Sequence, residues 1–319
     1  MDDVGRLVHY AGAREAVDSE RMELARARVA AHWDNVVAER RRGRMIARQR
    51  LLAVAASLVA AVGATFVYVQ LTGTPAGIAL AMVDRVIGNV AIANEPAAHD
   101  AAIEKDTLIE TGNDGRIALR LAGGQSLRID TESRLVVHSG NHVSLQQGGV
   151  YIDTEGAIDV LPVLVTTPLG TARDVGTQFQ VRLSAAVLSV GVRDGMVQVA
   201  TEDQQSLAVN KGRYLELASS GVKTERQVDS DDPSWDWIET IAPEFAIEGA
   251  TLRQYLEWFS NERGIELNWE DGLSEQNADK IVLSGSISGE TLNGGLEIVR
   301  QIAPFEYRID GDSMWVKVN

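Results

Sequence analysis

The longest apolar stretch of the chain runs from Leu51 to Leu71 and contains 21 residues without a charged side chain. As a helix it would span roughly 31 Å, close to the roughly 30 Å hydrocarbon core of a bilayer. The pattern therefore predicts one transmembrane helix over residues 51–71. Two other interpretations are a buried core helix, for which this uncharged length is unusual, and a cleaved signal peptide, for which the preceding segment is too long.

Positive charge lies on one side of this run. Six arginines fall between Arg40 and Arg50, and the first charged residue after the run is Asp84. Arginine-rich flanks of a membrane span usually stay in the cytoplasm. The predicted topology therefore has the N-terminus inside and the longer C-terminal part outside.

The first fifty residues carry an apolar stripe at helical spacing. Met22, Ala25, Val29, Trp33 and Val36 recur at steps of three and four, which places them on one face of a helix. A segment this short makes a poor core of its own. We therefore predict a helical, partner-binding segment over residues 1–50 with Val29, Trp33 and Val36 as contacts. The alternative is that the stripe packs on a short upstream helix of the same segment.

From about Val83 the pattern changes to alternation of polar and apolar residues. Stretches such as Gln178–Leu183 and Met196–Val199 alternate in this way, and glycines interrupt them at short intervals. Many short strands separated by turn residues are typical of an all-β domain, which we predict over residues 83–223.

An acidic stretch follows, residues 224–243, with Asp229, Asp231 and Asp232 and two tryptophans, Trp235 and Trp237. Nothing nearby supplies the convergent ligands that a metal ion needs. The stretch is therefore expected to be a solvated linker, with tryptophans that attach it to a neighbouring domain.

Residues 244–319 mix helix and strand patterns. Thr251 and Gln254 have the spacing of a capping box before a helix, and a second helix is expected from Thr291 with Ile302 facing inward. The predicted strands are Phe245–Glu248, Ile265–Trp269, Ile281–Ile287, Phe305–Ile309 and Met314–Val318. With a faint repeat of a Gly-X-Thr-Leu segment, this order predicts a small α+β domain of βαββαβ type.

The charge distribution and the amino-acid composition argue against several classes of function. Residues 1–50 hold 11 Lys+Arg against 8 Asp+Glu, whereas residues 72–319 hold 19 against 37. The acidic C-terminal part is a poor candidate for direct nucleic-acid binding, which needs a basic surface. The absence of cysteine excludes disulfides, thiolate metal sites and cysteine nucleophiles.

No catalytic or metal-binding signature stands out. His138 and His142 are four residues apart, but Gly140 and Asn141 between them indicate a turn rather than a metal-binding helix. The sequence therefore predicts no enzyme, no cofactor and no metal site.

One stretch combines strand alternation with turn residues at fixed positions: residues 165–181, VTTPLGTARDVGTQFQV. By itself it indicates two strands joined by a turn, with glycines where the backbone is tight. Together with the hairpin at residues 188–199, LSVGVRDGMVQV, it resembles the hallmark of the FecR-like family. These proteins are membrane-spanning regulators (anti-sigma factors) of iron-dicitrate-type cell-surface signalling. The tail also resembles the short signalling domain shared by secretins and TonB-dependent transducers.

The resemblance implies partners and a site. The segment with Trp33 would bind an extracytoplasmic-function sigma factor of RNA polymerase. The tail would bind the periplasmic signalling domain of a TonB-dependent transducer, with Leu252 and Trp258 as candidate contacts. Some family members cut themselves at a Gly-Thr bond, and the matching bond here is Gly176–Thr177, where the threonine hydroxyl would attack the preceding carbonyl.

We therefore expect a multi-domain membrane protein: an N-terminal α-helical segment, one transmembrane helix, an all-β FecR-like domain and a small α+β C-terminal domain. It would sit in the bacterial inner membrane with a cytoplasmic N-terminus and a periplasmic C-terminus. It would relay an envelope signal to transcription, including regulation of iron transport. The alternative is a membrane-anchored envelope scaffold that binds glycan or a secretin and has no transcriptional role.

Overall fold

The computed structural model describes residues 79–154, 161–201 and 205–318, together with Glu23, and these residues form mainly β-strands. The strands are β1 (Ala81–Ile87), β2 (Val90–Ile92), β3 (Glu95–Pro96), β4 (Ala102–Ile103), β5 (Thr107–Thr111), β6 (Arg116–Leu121), β7 (Ser126–Ile129), β8 (Arg134–Ser139), β9 (His142–Asp153), β10 (Leu164–Thr167), β11 (Gly170–Asp174), β12 (Gln178–Leu183), β13 (Val187–Asp194), β14 (Met196–Ala200), β15 (Ser206–Asn210), β16 (Arg213–Ala218), β17 (Lys223–Gln227), β18 (Glu266–Trp269), β19 (Phe305–Asp310) and β20 (Ser313–Val318). The helices are a 3-10 turn (Pro233–Trp235), α1 (Asp236–Thr240), α2 (Leu252–Arg263), α3 (Gly272–Ala278) and α4 (Leu292–Ile302).

Strands β1 to β17 form two sheets that share the long strand β9. The first sheet has the order β4-β1-β6-β7-β9-β12-β13-β16-β17, and all its pairs are antiparallel. The second has the order β3-β2-β5-β8-β9-β10-β11-β14-β15, in which only the β9–β10 pair is parallel. Gly148, with a φ of +88°, lies where β9 passes from one sheet into the other.

The core of this β-domain lies between the two sheets. Alternate residues of each strand point inward, as the period of two requires. Ile117 and Phe179 of the first sheet and Ile109 and Val197 of the second belong to one buried cluster, and none of the four is exposed to solvent. The alternation seen in the sequence therefore specifies the face that each strand buries.

The outer face of the first sheet is covered by the segment predicted to be a linker. Trp235, Trp237 and Ile238 form a second buried cluster with Tyr151 and Tyr214 of that face. The Trp237 indole Nε1 donates a hydrogen bond of 3.2 Å to the Gln180 side chain. The acidic stretch is thus packed on the sheet through its tryptophans, and residues 76–319 form one compact unit.

The C-terminal part is a three-stranded sheet of order β18-β20-β19 with helices packed against it. The predicted capping box is confirmed, because the Thr251 and Gln254 side chains each accept a hydrogen bond from the other residue's backbone. The predicted strands Phe245–Glu248 and Ile281–Ile287 are wrong. Ile247, Leu283 and Ile287 enter the core from segments that do not pair as strands. Among the described residues, an isolated bridge joins Val282 to Thr251.

Two further expectations for this part differ from the structure. Helix α3 was not predicted, because its sequence, Gly272–Ala278, is short and mostly polar. Ile302, expected to face inward, is 52% exposed because it is the last residue of α4.

The predicted fold class, a multi-domain membrane protein with a transmembrane helix, is wrong for the structure obtained. The described residues are mostly β-sheet with few helices, and none of these helices is long and apolar enough to cross a membrane. The longest, α2, has 12 residues and an amphipathic sequence, whereas a span needs about 20 apolar residues. The predicted segments 1–50 and 51–71 lie outside the described residues, apart from Glu23.

Candidate functional site

The Gly176–Thr177 bond lies at a point where the chain passes from one sheet to the other. Strand β11 belongs to the second sheet and β12 to the first, and residues 175–177 connect them. Gly176 has a φ of +73°, in the left-handed region that other residues rarely adopt. This requirement explains why the motif has glycine at this position.

Thr154, just after β9, holds the Gly176–Thr177 peptide on one side. The Thr177 amide N–H donates a hydrogen bond of 2.7 Å to the Thr154 Oγ1. The Thr154 backbone N and hydroxyl both donate to the Thr177 carbonyl oxygen at 3.1 Å. One threonine therefore contacts the nitrogen of the candidate cleavage bond and the carbonyl that follows it.

Asp174 lies on the same side of this turn. Its Oδ1 accepts a hydrogen bond of 2.5 Å from the Val163 backbone N, and its carboxyl group also hydrogen-bonds with the Gly176 N–H and with the Thr154 hydroxyl oxygen. The side chain is almost completely buried. Burial raises the pKa of Asp174, and the effect exceeds the opposing influence of these hydrogen bonds and of Arg173.

Gly195, in the β13–β14 turn, packs against the other side of the peptide. A Cβ atom at this position would lie 2.3 Å from the Gly176 carbonyl oxygen and 2.6 Å from the Thr177 Cγ2. Thr177 itself is buried, and its Oγ1 has no hydrogen-bond partner among the described residues. The peptide is thus confined on two sides, with the hydroxyl that would attack it left unpaired.

A second cluster of polar groups joins the first sheet to the C-terminal part. Arg128 on β7 and Glu262 on α2 form an ion pair of 2.7 Å, with side chains only 1% and 5% exposed. Arg193 on β13 donates through Nη1 to the Glu262 carbonyl oxygen at 3.1 Å and through Nη2 to the Arg263 carbonyl oxygen. The end of α2 is therefore attached to the sheet by two buried arginines.

Asn261 extends this contact. Its side-chain amide donates a hydrogen bond of 2.9 Å to Asp153 Oδ2 and accepts one from Gln178 Nε2. Gln178 and Asp153 pair directly across β12 and β9. Since Gln178 follows Thr177 in sequence, the candidate cleavage bond and the docking contact lie on consecutive residues.

The predicted partner-binding residues of the tail lie on α2. Leu252 is fully buried in the C-terminal core, whereas Trp258 is half-buried and packs against Phe245 and Tyr255 with ring centroids 5.2 and 5.7 Å apart. Their role in binding stays a prediction. Val29, Trp33 and Val36, the predicted sigma-factor contacts, lie outside the described residues.

His138 and His142 lie side by side on the second sheet, with ring centroids 5.0 Å apart. His138 is hydrogen-bonded to Asp106 at 2.7 Å and to Ser144 at 2.8 Å. Burial and the neighbouring His138 lower the pKa of His142. In the part of the chain that the structure describes, no group of three or more potential ligands is arranged to hold a metal ion.

Sequence reasoning did not identify Thr154, Asp174, Arg128 or Glu262 as site residues. Thr154 is distant in sequence from the motif, and Glu262 occupies a helix position where an exposed charge is ordinary. Asp174 lies inside the motif, two residues before Gly176, and its position next to the glycine turn was the one available signal.

The candidate cleavage bond thus belongs to a β-domain of two sheets, at the glycine turn where the chain passes from one sheet to the other. Residues 107–198 match the family model of the FecR protein. This range includes the whole 165–181 stretch, and it confirms the resemblance seen in the sequence. The chain therefore contains a FecR-like domain over residues 107–198.

Two crystal structures of a candidate anti-sigma factor from Parabacteroides distasonis ATCC 8503, at 1.65 and 2.50 Å resolution, are similar to the chain. Their sequences are 12% and 13% identical to it, with TM-scores of 0.37 and 0.35. Each alignment covers 66% of this chain and 99% or 98% of the other. No curated protein matches the sequence.

Proposed function

We propose that the protein is a FecR-type regulator of an RNA polymerase sigma factor. The observation that carries the proposal is the FecR match over residues 107–198, which contains the turn with the Gly176–Thr177 bond. A FecR-type protein is regulatory rather than enzymatic.

The finer proposal concerns the partners. The sigma factor would be of the extracytoplasmic-function class, bound by residues 1–50 through Val29, Trp33 and Val36. The signal would come from a TonB-dependent transducer through the C-terminal part. Placement at the bacterial inner membrane with a cytoplasmic N-terminus and a periplasmic C-terminus, and control of iron transport, stay predictions, since the residues on which the topology depends lie outside the described ones.

Transcription from a sigma-dependent promoter tests the regulatory role. Residues 1–50 are replaced by an unrelated soluble sequence of the same length, and a reporter is measured in the native host. The proposal predicts a clear change in reporter output. An unchanged output would favour the alternative of an envelope scaffold, for which this segment is dispensable.

A second part of the proposal is self-cleavage of the Gly176–Thr177 bond by the Thr177 hydroxyl. The left-handed φ of Gly176, the buried unpaired hydroxyl and the confinement by Gly195 support it. The full chain carrying a C-terminal tag is expected to yield a tagged fragment beginning at Thr177. T177A should abolish this fragment and T177S should retain it, and a wild-type chain that stays intact would contradict self-cleavage.

A further inference from the structure

Self-cleavage of a Gly-Thr bond requires two proton movements. The Thr177 hydroxyl loses its proton as Oγ1 bonds to the Gly176 carbonyl carbon, and the Thr177 nitrogen must gain one as its bond to that carbon breaks. An amide nitrogen is a poor leaving group until it is protonated. A group placed to give it a proton would therefore accelerate the step.

The structure places one hydroxyl beside that nitrogen. Thr154 Oγ1 lies 2.7 Å from the Thr177 nitrogen, within the distance at which a proton passes directly between heavy atoms. In the planar amide the N–H donates to this oxygen. After attack the nitrogen becomes tetrahedral and has a lone pair, which can accept the hydroxyl proton of Thr154.

A carboxyl group lies behind this hydroxyl. Asp174 hydrogen-bonds with Thr154 and is fixed by the Val163 backbone N at 2.5 Å. Thr154 is itself fixed by its backbone N–H, which donates to the Thr177 carbonyl oxygen at 3.1 Å. The carboxyl group of Asp174, the hydroxyl of Thr154 and the nitrogen of Thr177 thus form a continuous chain of hydrogen bonds.

We propose that Asp174 and Thr154 form a proton relay to the nitrogen of the Gly176–Thr177 bond. The inference rests on the proposed self-cleavage and adds the residues that supply its proton. Both are positioning and proton-transfer residues that sequence resemblance did not assign.

The relay balances with water as the one reagent from outside the protein. As the C–N bond breaks, Thr154 gives its hydroxyl proton to the Thr177 nitrogen and takes one from protonated Asp174. The proton that Thr177 Oγ1 releases returns to Asp174 through water. The product is an ester between the Gly176 carbonyl and Thr177 Oγ1 with a free Thr177 amine, and water hydrolyses this ester to leave a carboxylate at Gly176.

Asp174 suits the donor role because it is buried. Burial raises its pKa, so a larger fraction of the carboxyl groups carries a proton near neutral pH than in an exposed aspartate. Arg173 is the charged neighbour that acts in the opposite direction. The rate should therefore fall as the pH rises through the raised pKa of Asp174.

The test follows cleavage of the full, C-terminally tagged chain made by cell-free translation and transferred into buffers of different pH. The variants are T154V, which removes the hydroxyl at similar volume, T154S, which keeps it, and D174N. T111V is the matched control. The Thr111 hydroxyl also fixes a turn, by donating to the Asp130 carbonyl oxygen and accepting from the Ser133 N, but it belongs to β5 and is not hydrogen-bonded to the Gly176–Thr177 turn.

We expect T154V to slow cleavage by at least about tenfold, T154S and T111V to stay within about threefold of wild type, and D174N to be slow with a flat pH profile.

Wild-type rates in T154V and D174N would overturn the relay while leaving self-cleavage intact. A slow D174N that keeps the wild-type pH profile would also overturn it, because a structural role changes the rate alone. If circular dichroism shows that T154V does not fold, the pH dependence of the D174N cleavage rate tests the relay by itself. An intact wild-type chain would instead contradict self-cleavage itself.

Discussion

Arg128 on the first sheet and Glu262 near the end of helix α2 form an ion pair of 2.7 Å that solvent hardly reaches. The two residues are separated by most of the β-domain in sequence, and the pair connects its outer face to the C-terminal part. Arg128 also donates to the Ile238 carbonyl oxygen at 3.2 Å, so it contacts the tryptophan-containing segment as well. One buried charge pair is therefore among the contacts that dock the tail.

Removal of one partner should weaken this docking strongly. An unpaired charge left in a buried site costs about 3–5 kcal/mol, whereas replacing both members with apolar residues costs much less. We expect R128M and E262L each to lower the free energy of unfolding by about that amount, and the double variant to recover most of it. Urea denaturation followed by tryptophan fluorescence measures the effect.

An exposed ion pair provides the control for that experiment. Arg134 and Glu110 are 2.6 Å apart, with side chains 50% and 38% exposed. Such pairs contribute about 0–1 kcal/mol, so R134M should be nearly neutral. Similar small losses in R128M and R134M would contradict a docking role for the buried pair.

The same pair predicts how stability depends on pH. Burial is the main cause that raises the pKa of Glu262, with Asp153 acting in the same direction and Arg128 opposing both. A carboxyl group with a raised pKa in the folded state stabilises it fully below the ordinary value of 4.5, and this contribution is lost as the pH rises through the raised pKa.

The measurement is the free energy of unfolding of wild type and E262Q across this pH range. The difference, wild type minus E262Q, should decrease as the pH rises above 4.5. A difference that stays constant, or one that increases with pH, would show that Glu262 does not titrate as its burial implies.

Gly195 should be intolerant of a side chain. The new Cβ of G195A would lie 2.3 Å from the Gly176 carbonyl oxygen, and the φ of +77° adds backbone strain. The matched control is G221A, with a φ of +84° but open space around its Cβ. G221A should cost about 1–2 kcal/mol from strain alone, and G195A about 1–3 kcal/mol more from overpacking. Equal losses in thermal denaturation would exclude close packing on the Gly176–Thr177 peptide.

Much of the β-domain could be predicted from the sequence because its strands alternate cleanly. Residues such as Phe179 and Val181 face one common core, so the period of two identifies both the strand and its buried face. The turn at Gly176 could also be predicted, since the motif places a glycine between two stretches of strand-like alternation. The FecR resemblance drew on these same local features.

The remainder depends on contacts between segments distant in sequence. The outer face of the first sheet carries Arg128 and Tyr151, which alternation alone would place in solvent, and it is buried only because Trp235 and α2 cover it. Ile281–Ile287 has the composition of a strand, but Leu283 and Ile287 reach the core without the segment pairing as a strand. The Thr154–Asp174 contact required β9 and β11 to be brought together by the fold.

The most direct test of the central claim is recovery of a sigma factor with the full chain. The tagged protein is purified from its native host after cross-linking, and bound proteins are identified by mass spectrometry. W33A tests the predicted stripe, and N35A, on the opposite face of the predicted helix, is the control. We predict that an extracytoplasmic-function sigma factor is recovered with wild type and N35A and is reduced at least about tenfold with W33A. Absence of any sigma factor from the wild-type sample would contradict the account.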